Sequence, residues 1–387
     1  MLPAIDLSPF RMQQDAVADA LIADLVRDHD IQAANRLLQT LTRNYDIRGR
    51  LLPGPLGERL DQYLEATAPP PAWANPDAIR TAQRVFATNA VTIAMLLNFR
   101  SLPMAYSCAN GSKVLYETGL LTARDGVPNL VRRLMETAQF VIYAMEPGGL
   151  SPGGRGILTT QKVRLIHASI RHLLITQRQW DHQHHGAPIN QEDMAGTLLS
   201  FSALVLEGLE MSGYKLSREQ KDAYIHCWNV VGHWLGLDER LMAPNYDEAL
   251  QLGYTIFDQQ LAPSPWGVQL AAALAEDMGR KVGVLLKPAV PVLIRYYCGN
   301  HVGDVLGIAQ VPLVHQRRVA NRIKLLSSGL QRAETLMPVL RWLLGKMSVD
   351  FLQNTTTVFN GFKHAQFYVP TYLTEGAEAL RQRNETR

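Results

Sequence analysis

Three side chains on one stretch have the types and spacing to do chemistry. In TTQKVRLIHASIRHLLIT, Thr159 to Thr176, the residues Val163, His167, Ile170 and Leu174 recur at helical spacing, and Ile166 and Leu173 widen the apolar stripe. Arg164 and Arg171 stand three residues before and four after His167. Positions three and four apart are neighbours on a helix face, so both guanidinium groups are expected to flank the imidazole. Arginine is almost never buried without a partner, and this stretch contains no acid.

A buried dianion beside His167 would answer that demand. The imidazole could ligate the iron of a porphyrin while Arg164 and Arg171 pair with its propionates through charge-assisted bonds. Haem b with His167 as proximal metal ligand is therefore the reading these residues support; the plain alternative is a satisfied core histidine. Candidates for the opposite face lie on two other helices. In NLVRRLMETAQFVIY, Arg133 and Thr137 are four apart, with Glu136 beside them. In ANGSKVLYETGLL, Glu117 precedes Thr118 and Gly119, a glycine placed to end the helix. A carboxylate there meets the negative end of the helix dipole, which strengthens it as a base.

Other histidines read as structural. His182, His184 and His185 of WDHQHHG fall in a stretch expected to be an exposed loop. His226 and His233 are seven apart, two turns away from each other, too far to share one metal without bending. In GAPINQEDMAGTLLSF, Asn190 is placed to cap a helix, with Glu192 and Asp193 in its first turn, and the cap accounts for both acids. The chain has no CxxCH, CxxC, HExxH, phosphate-binding glycine loop or Glu-x-x-His pair. Its three cysteines are dispersed, which excludes a disulfide framework or thiolate zinc site.

The elements that must position these residues are helices. Segments 11–42, 77–99, 103–118, 128–144, 159–178, 191–211, 218–235, 247–259, 267–280, 284–297, 316–329 and 333–352 show helical periodicity, and strand-like alternation is confined to TTTVF near Thr355. Breaks fall at a rigid TAPPPAWANP linker, a flexible EPGGLSPGGRG loop and an APSPWG turn. The expected architecture is all-α: an N-terminal helical arm and linker over 1–74, a core over 75–260, and C-terminal helices over 261–387 packed on it. With 387 residues, 47% hydrophobic, and 38 basic against 35 acidic residues, the composition is that of a globular protein with no charge signature for nucleic acid. VFATNAVTIAMLLNF, the longest weakly charged run, is about fifteen residues against the roughly 20 a spanning helix needs, so it reads as a core helix. MLPAIDLSPFRMQQDA lacks a basic and then apolar leader pattern, and a cytoplasmic location is expected.

Five stretches in order, SLPMAYSCANGSKVLYETGLL, RRLMETAQFV, KVRLIHASIRHLL, GAPINQEDMAGTLLSF and YIHCWNVVGHWLGLDERL, resemble the latex clearing protein (rubber oxygenase) family of bacterial haem oxygenases, a superfamily that includes the oxygenase of mycophenolic acid biosynthesis. The resemblance spans roughly 70 to 260. It implies a globin-like helical core, non-covalent haem b, and use of dioxygen to cleave the double bonds of polyisoprene. It matches His167 to the proximal ligand, Glu117 to the proposed base, Arg133 and Thr137 to the distal helix motif, and Thr197 to a pocket threonine. Rubber-cleaving members carry a lysine directly before the distal threonine, able to reach the sixth iron position; here that residue is Glu136. With no amine to close the site and no leader pattern, a small apolar unsaturated substrate is expected rather than bulk polymer. The competing readings are a non-catalytic haem or hydrophobic-ligand binding protein, and a helical interaction protein without cofactor.

Overall fold

The computed structural model describes residues 5–29, 54–118, 129–283 and 286–336. The described helices are α1 (Ala16–His29), α2 (Pro55–Thr67), α3 (Pro76–Leu96), α4 (Leu102–Ser107), α5 (Ala109–Glu117), α6 (Asn129–Met145), α7 (Arg155–Gln177), α8 (His182–His185), α9 (Gln191–Phe201), α10 (Ala203–Met211), α11 (Arg218–Leu235), α12 (Tyr246–Gln260), α13 (Pro265–Val282), α14 (Ala289–Cys298), α15 (Asn300–Val305) and α16 (Leu313–Leu336). Among the described residues there is no strand, only an isolated bridge between Cys108 and Leu261. TTTVF and most of the expected helix at 333–352 lie outside the described residues.

Local sequence sets the starts of these helices. Asn75 accepts from the amides of Asp77 and Ala78 ahead of α3, and Asn190 accepts from the Asp193 amide ahead of α9. Ser217 and Gln220 form a reciprocal capping box on α11, and Asn245 caps α12. Each cap satisfies amides the first turn leaves without intrahelical partners. Helix α2 falls inside the expected arm and linker: Pro55 occupies its first turn, and Leu60, Tyr63 and Leu64 bury one face against α1 and α7.

The core forms where α3 and α11 cross and α9, α10 and α12 close around them. Trp228 and Trp234 of α11 are buried beside Phe86, Ile93, Leu198 and Phe257. Helix α3 runs through a π-helical turn, Leu97–Ser101, directly into α4. The continuous runs Pro76–Ser107 and Gln191–Met211 are thus long and apolar enough, by length and composition, to cross a bilayer; half of the first run's most apolar window and 72% of the second's are buried inside the protein. The expected fifteen-residue limit on the first run does not hold, because its polar residues are absorbed within the helix, as where Asn89 donates to the Val85 carbonyl.

The glycine-rich segment between α6 and α7 is a tight corner, not the flexible loop expected. Gly149 donates to Glu146 O at 2.9 Å and Gly156 to Gly149 O at 2.9 Å, while Arg155 closes on Glu146 through Nε at 2.7 Å. A side chain at Gly149 would lie 2.0 Å from the Tyr143 carbonyl, so the close approach requires glycine. This corner fixes α6 against α7, the two helices that carry Glu136, Thr137 and His167.

Candidate functional site

Between α4, α5, α6, α7, α9, α11 and α12 lies a cavity of about 280 Å³. Its lining includes Glu136 and Thr137 from α6, His167 from α7 and Thr197 from α9, among Phe140, Val163, Ile170, Trp228, Ile256 and Phe257. Four sequence-predicted residues therefore meet at one place. Glu136 is 1% exposed, so its carboxyl group is committed to the interior. The Thr197 hydroxyl donates to the Asp193 carbonyl at 2.8 Å. Phe140 and Phe201 pack on the Trp228 ring at 6.3 and 5.7 Å between centroids.

Glu117 is the last residue of α5 and half-buried; it is its neighbour Thr118 that lines the cavity and ends the helix. Gly119 lies outside the described residues. Arg133 sits on α6 one turn before Thr137, with its side chain also outside them.

Arg164 and Arg171 require correction. Neither lines the cavity. Arg164 binds Asp15 through both Nε (2.6 Å) and Nη2 (2.8 Å), and Arg171 Nε donates to Asp19 Oδ1 at 2.7 Å. The anions that neutralise them are protein carboxylates on and just before α1, not a ligand's. Helix geometry explains the separation. At about 100° per residue, Arg164 and Arg171 lie about 60° and 40° to one side of His167, while Val163 and Ile170 lie about 40° and 60° to the other. The imidazole stands at the boundary and turns to the cavity with the apolar side. Burial works against the Arg164 cation, but its bonds to Asp15 together with the acidic groups of Asp15, Asp19 and Tyr63 around it more than offset that and raise its pKa; burial raises that of Asp19, with Arg171 opposing.

The acids after Asn190 do more than serve the cap. Arg11 Nη1 reaches Asp193 Oδ1 at 3.0 Å and Glu192 Oε2 at 3.6 Å, and Glu192 Oε1 accepts from Gln260 Nε2 at 3.1 Å. Asp193 and Gln260 both line the cavity. Burial raises the pKa of both acids, with Arg11 opposing. Sequence reasoning missed Arg11, Gln260 and this role for the acids; its one available signal was a pair of adjacent acids in an otherwise apolar segment. His185 is likewise not on an exposed loop: it is half-buried, 5.6 Å from the Trp180 ring and 6.3 Å from that of Trp266. His226 and His233 have structural partners, the first accepting from the Asn75 amide at 2.8 Å and the second 3.4 Å from Glu239.

The largely apolar cavity thus carries one imidazole, from His167, and two carboxyl groups, from Glu136 and Asp193, within a helical frame suited to enclosing a hydrophobic ligand. The chain belongs to the family described as ER-bound oxygenase mpaB/B'/rubber oxygenase, catalytic domain, which it matches over residues 83–342. It is 27% identical over 304 residues to the rubber oxygenase of Streptomyces sp. (strain K30), covering 78% of this chain and 72% of that one. The solved structure of latex clearing protein in the closed state superposes with a TM-score of 0.71 at 25% identity, covering 90% of this chain and 92% of the other.

Proposed function

We propose that the protein is a haem b-dependent oxygenase that uses O2 to cleave or oxygenate a carbon–carbon double bond in an apolar, isoprenoid-like substrate. The observation that carries the reading is the convergence of His167, Glu136, Thr137 and Thr197 on one largely apolar cavity, in a chain of the rubber oxygenase family. Among the described residues no three His, Cys, Asp or Glu cluster as a bare-ion site. A single imidazole on the cavity lining, that of His167, suits an iron whose remaining ligands a porphyrin supplies, so this residue fits the cofactor.

His167 would hold the iron, and the haem would supply O2 binding and activation. The aromatic and aliphatic wall of Phe140, Trp228, Ile256 and Phe257 would exclude water and align an unsaturated chain. Glu117, beside the cavity-lining Thr118, would accept the allylic proton, and the hydroxyls of Thr137 and Thr197 would orient oxygen atoms. Glu136, at the position where the family resemblance implies a lysine, would present a carboxyl group rather than an amine to the cavity.

Titration of the purified protein with haem, followed by incubation with a terpenoid alkene under O2, tests the reading. A Soret band that changes on dithionite addition, with oxygen-dependent aldehyde or ketone products, is expected. No Soret band would end it; a Soret band without products from any alkene would make the protein a haem carrier.

A further inference from the structure

A chain of polar side chains runs behind the cavity and reaches its lining at Gln260, and its hydrogen bonds run in a single direction. Lys113 Nζ lies 2.9 Å from His185 Nε2, and His185 Nδ1 lies 2.9 Å from Asn110 Oδ1. Asn110 Nδ2 donates to Gln260 Oε1 at 3.2 Å, and Gln260 Nε2 donates to Glu192 Oε1 at 3.1 Å. The ends dictate the direction, because an ammonium only donates and a carboxylate only accepts. His185 must therefore accept at Nε2 and carry its hydrogen on Nδ1, Asn110 must turn its oxygen to the imidazole, and Gln260 must turn its nitrogen to Glu192. Burial, reinforced by Lys113, lowers the His185 pKa and favours the neutral ring this chain needs.

An amide nitrogen carries two hydrogens, and Glu192 takes one. The other belongs to a side chain that is 8% exposed and lines the cavity. The oxygens of Asp193, on the same lining, take Arg11 Nη1 at 3.0 Å and Asn190 Nδ2 at 2.8 Å and are not bonded to Gln260. Leaving a buried donor without an acceptor is unfavourable, and a pure hydrocarbon provides none.

We propose that Gln260 anchors an oxygen atom, hydroxyl, ether or carbonyl, on an otherwise apolar unsaturated substrate, so that the cavity selects oxygen-bearing isoprenoids over hydrocarbons of the same length. The isoprenoid identity rests on the function proposed above; the oxygen anchor rests on the hydrogen-bond chain.

Trp228 lines the cavity, so tryptophan fluorescence of the full chain reports binding. The probes are farnesol, its methyl ether, and the hydrocarbon in which the hydroxyl is replaced by hydrogen. Farnesol and the ether should each bind about ten-fold more tightly than the hydrocarbon, as one hydrogen bond allows; the ether is included because Gln260 donates and needs only an acceptor. Gln260→Met should remove the preference, tightening hydrocarbon binding as it weakens that of the oxygen-bearing probes. Asn110→Ser, which frees the Gln260 oxygen without touching its nitrogen, should shrink the preference and decides the matter if Gln260→Met does not fold. Equal binding of all three probes by the unmodified protein, or a preference that both variants retain, overturns the anchor. Haem uptake and oxygen-dependent products, measured on the same preparations, keep the two ideas apart. A Gln260-dependent preference without haem uptake sinks the oxygenase and leaves the anchor; oxygenation with equal binding does the reverse.

Discussion

The side of α7 that faces α1 and the side that faces the cavity look alike in sequence, polar groups set among aliphatic ones, yet they end in opposite states. On the first, Arg164 and Arg171 are neutralised by Asp15 and Asp19. On the second, His167 stands among Val163, Ile170 and Phe140 at the edge of a void. A guanidinium cannot shed its charge, so folding must bring it an anion. An imidazole can be buried neutral, so folding can leave it facing space that a ligand fills. Helix α7 is anchored on one side and chemically available on the other.

The sharpest way to break that comparison is His167→Ala. It should abolish the Soret band in a haem titration while leaving the urea midpoint nearly unchanged; haem uptake surviving it, but lost in His226→Ala, would place the cofactor on the wrong helix here. Glu117→Gln should come next, slowing turnover by about 10²–10⁴-fold at unchanged haem content if the residue is the general base. Unchanged turnover would remove Glu117 from the chemistry.

On the other side of α7 the losses should be in stability. Arg164→Ala or Asp15→Ala leaves a buried charge without its partner, expected to cost about 3–5 kcal/mol in chemical denaturation, while haem affinity of the folded fraction stays the same. Weaker haem binding at unchanged stability would return Arg164 to the propionates. Arg171→Ala should cost less, roughly 1.5–3 kcal/mol, because the side chain of Asp19 is 27% exposed.

The smallest effect concerns Lys162 on the same helix, which sharpens the contrast between cations. It is 7% exposed, and burial lowers its pKa to about 8 from an ordinary 10.5. Between those values the unfolded chain binds a proton that the folded protein does not, so this group makes stability rise with pH across the window, by at most about 1.4 kcal/mol per pH unit. Below about pH 8 its unfavourable contribution is complete. Denaturation midpoints from pH 8 upward should show that slope, and Lys162→Met should flatten it; identical slopes would mean the ammonium stays charged on folding.

Much of the frame was legible because its causes are local. The cap at Asn190 and the apolar periodicity of α7 and α11 act within a turn or two of themselves. His167, Glu136 and Thr137 could be singled out for the same reason, each being placed by a helix whose phase the pattern reveals. The partner of Arg164 could not: Asp15 is 149 residues away in sequence, and nothing in the spacing of α7 reports what packs on it.

The sequence by itself determined that this chain is helical, where most helices begin, and which single imidazole interrupts the apolar stripe of α7, because 3.6-residue periodicity and capping chemistry are short-range. Only the tertiary structure decided which charges are satisfied by protein and which groups face a void. Asp15 and Asp19 claimed the arginines, and Arg11 and Glu192 bind Asp193 and Gln260, which put polar groups on the cavity lining. A salt bridge or hydrogen bond depends on where two side chains meet in space, and that meeting is fixed by the packing of whole helices rather than by any spacing along one of them.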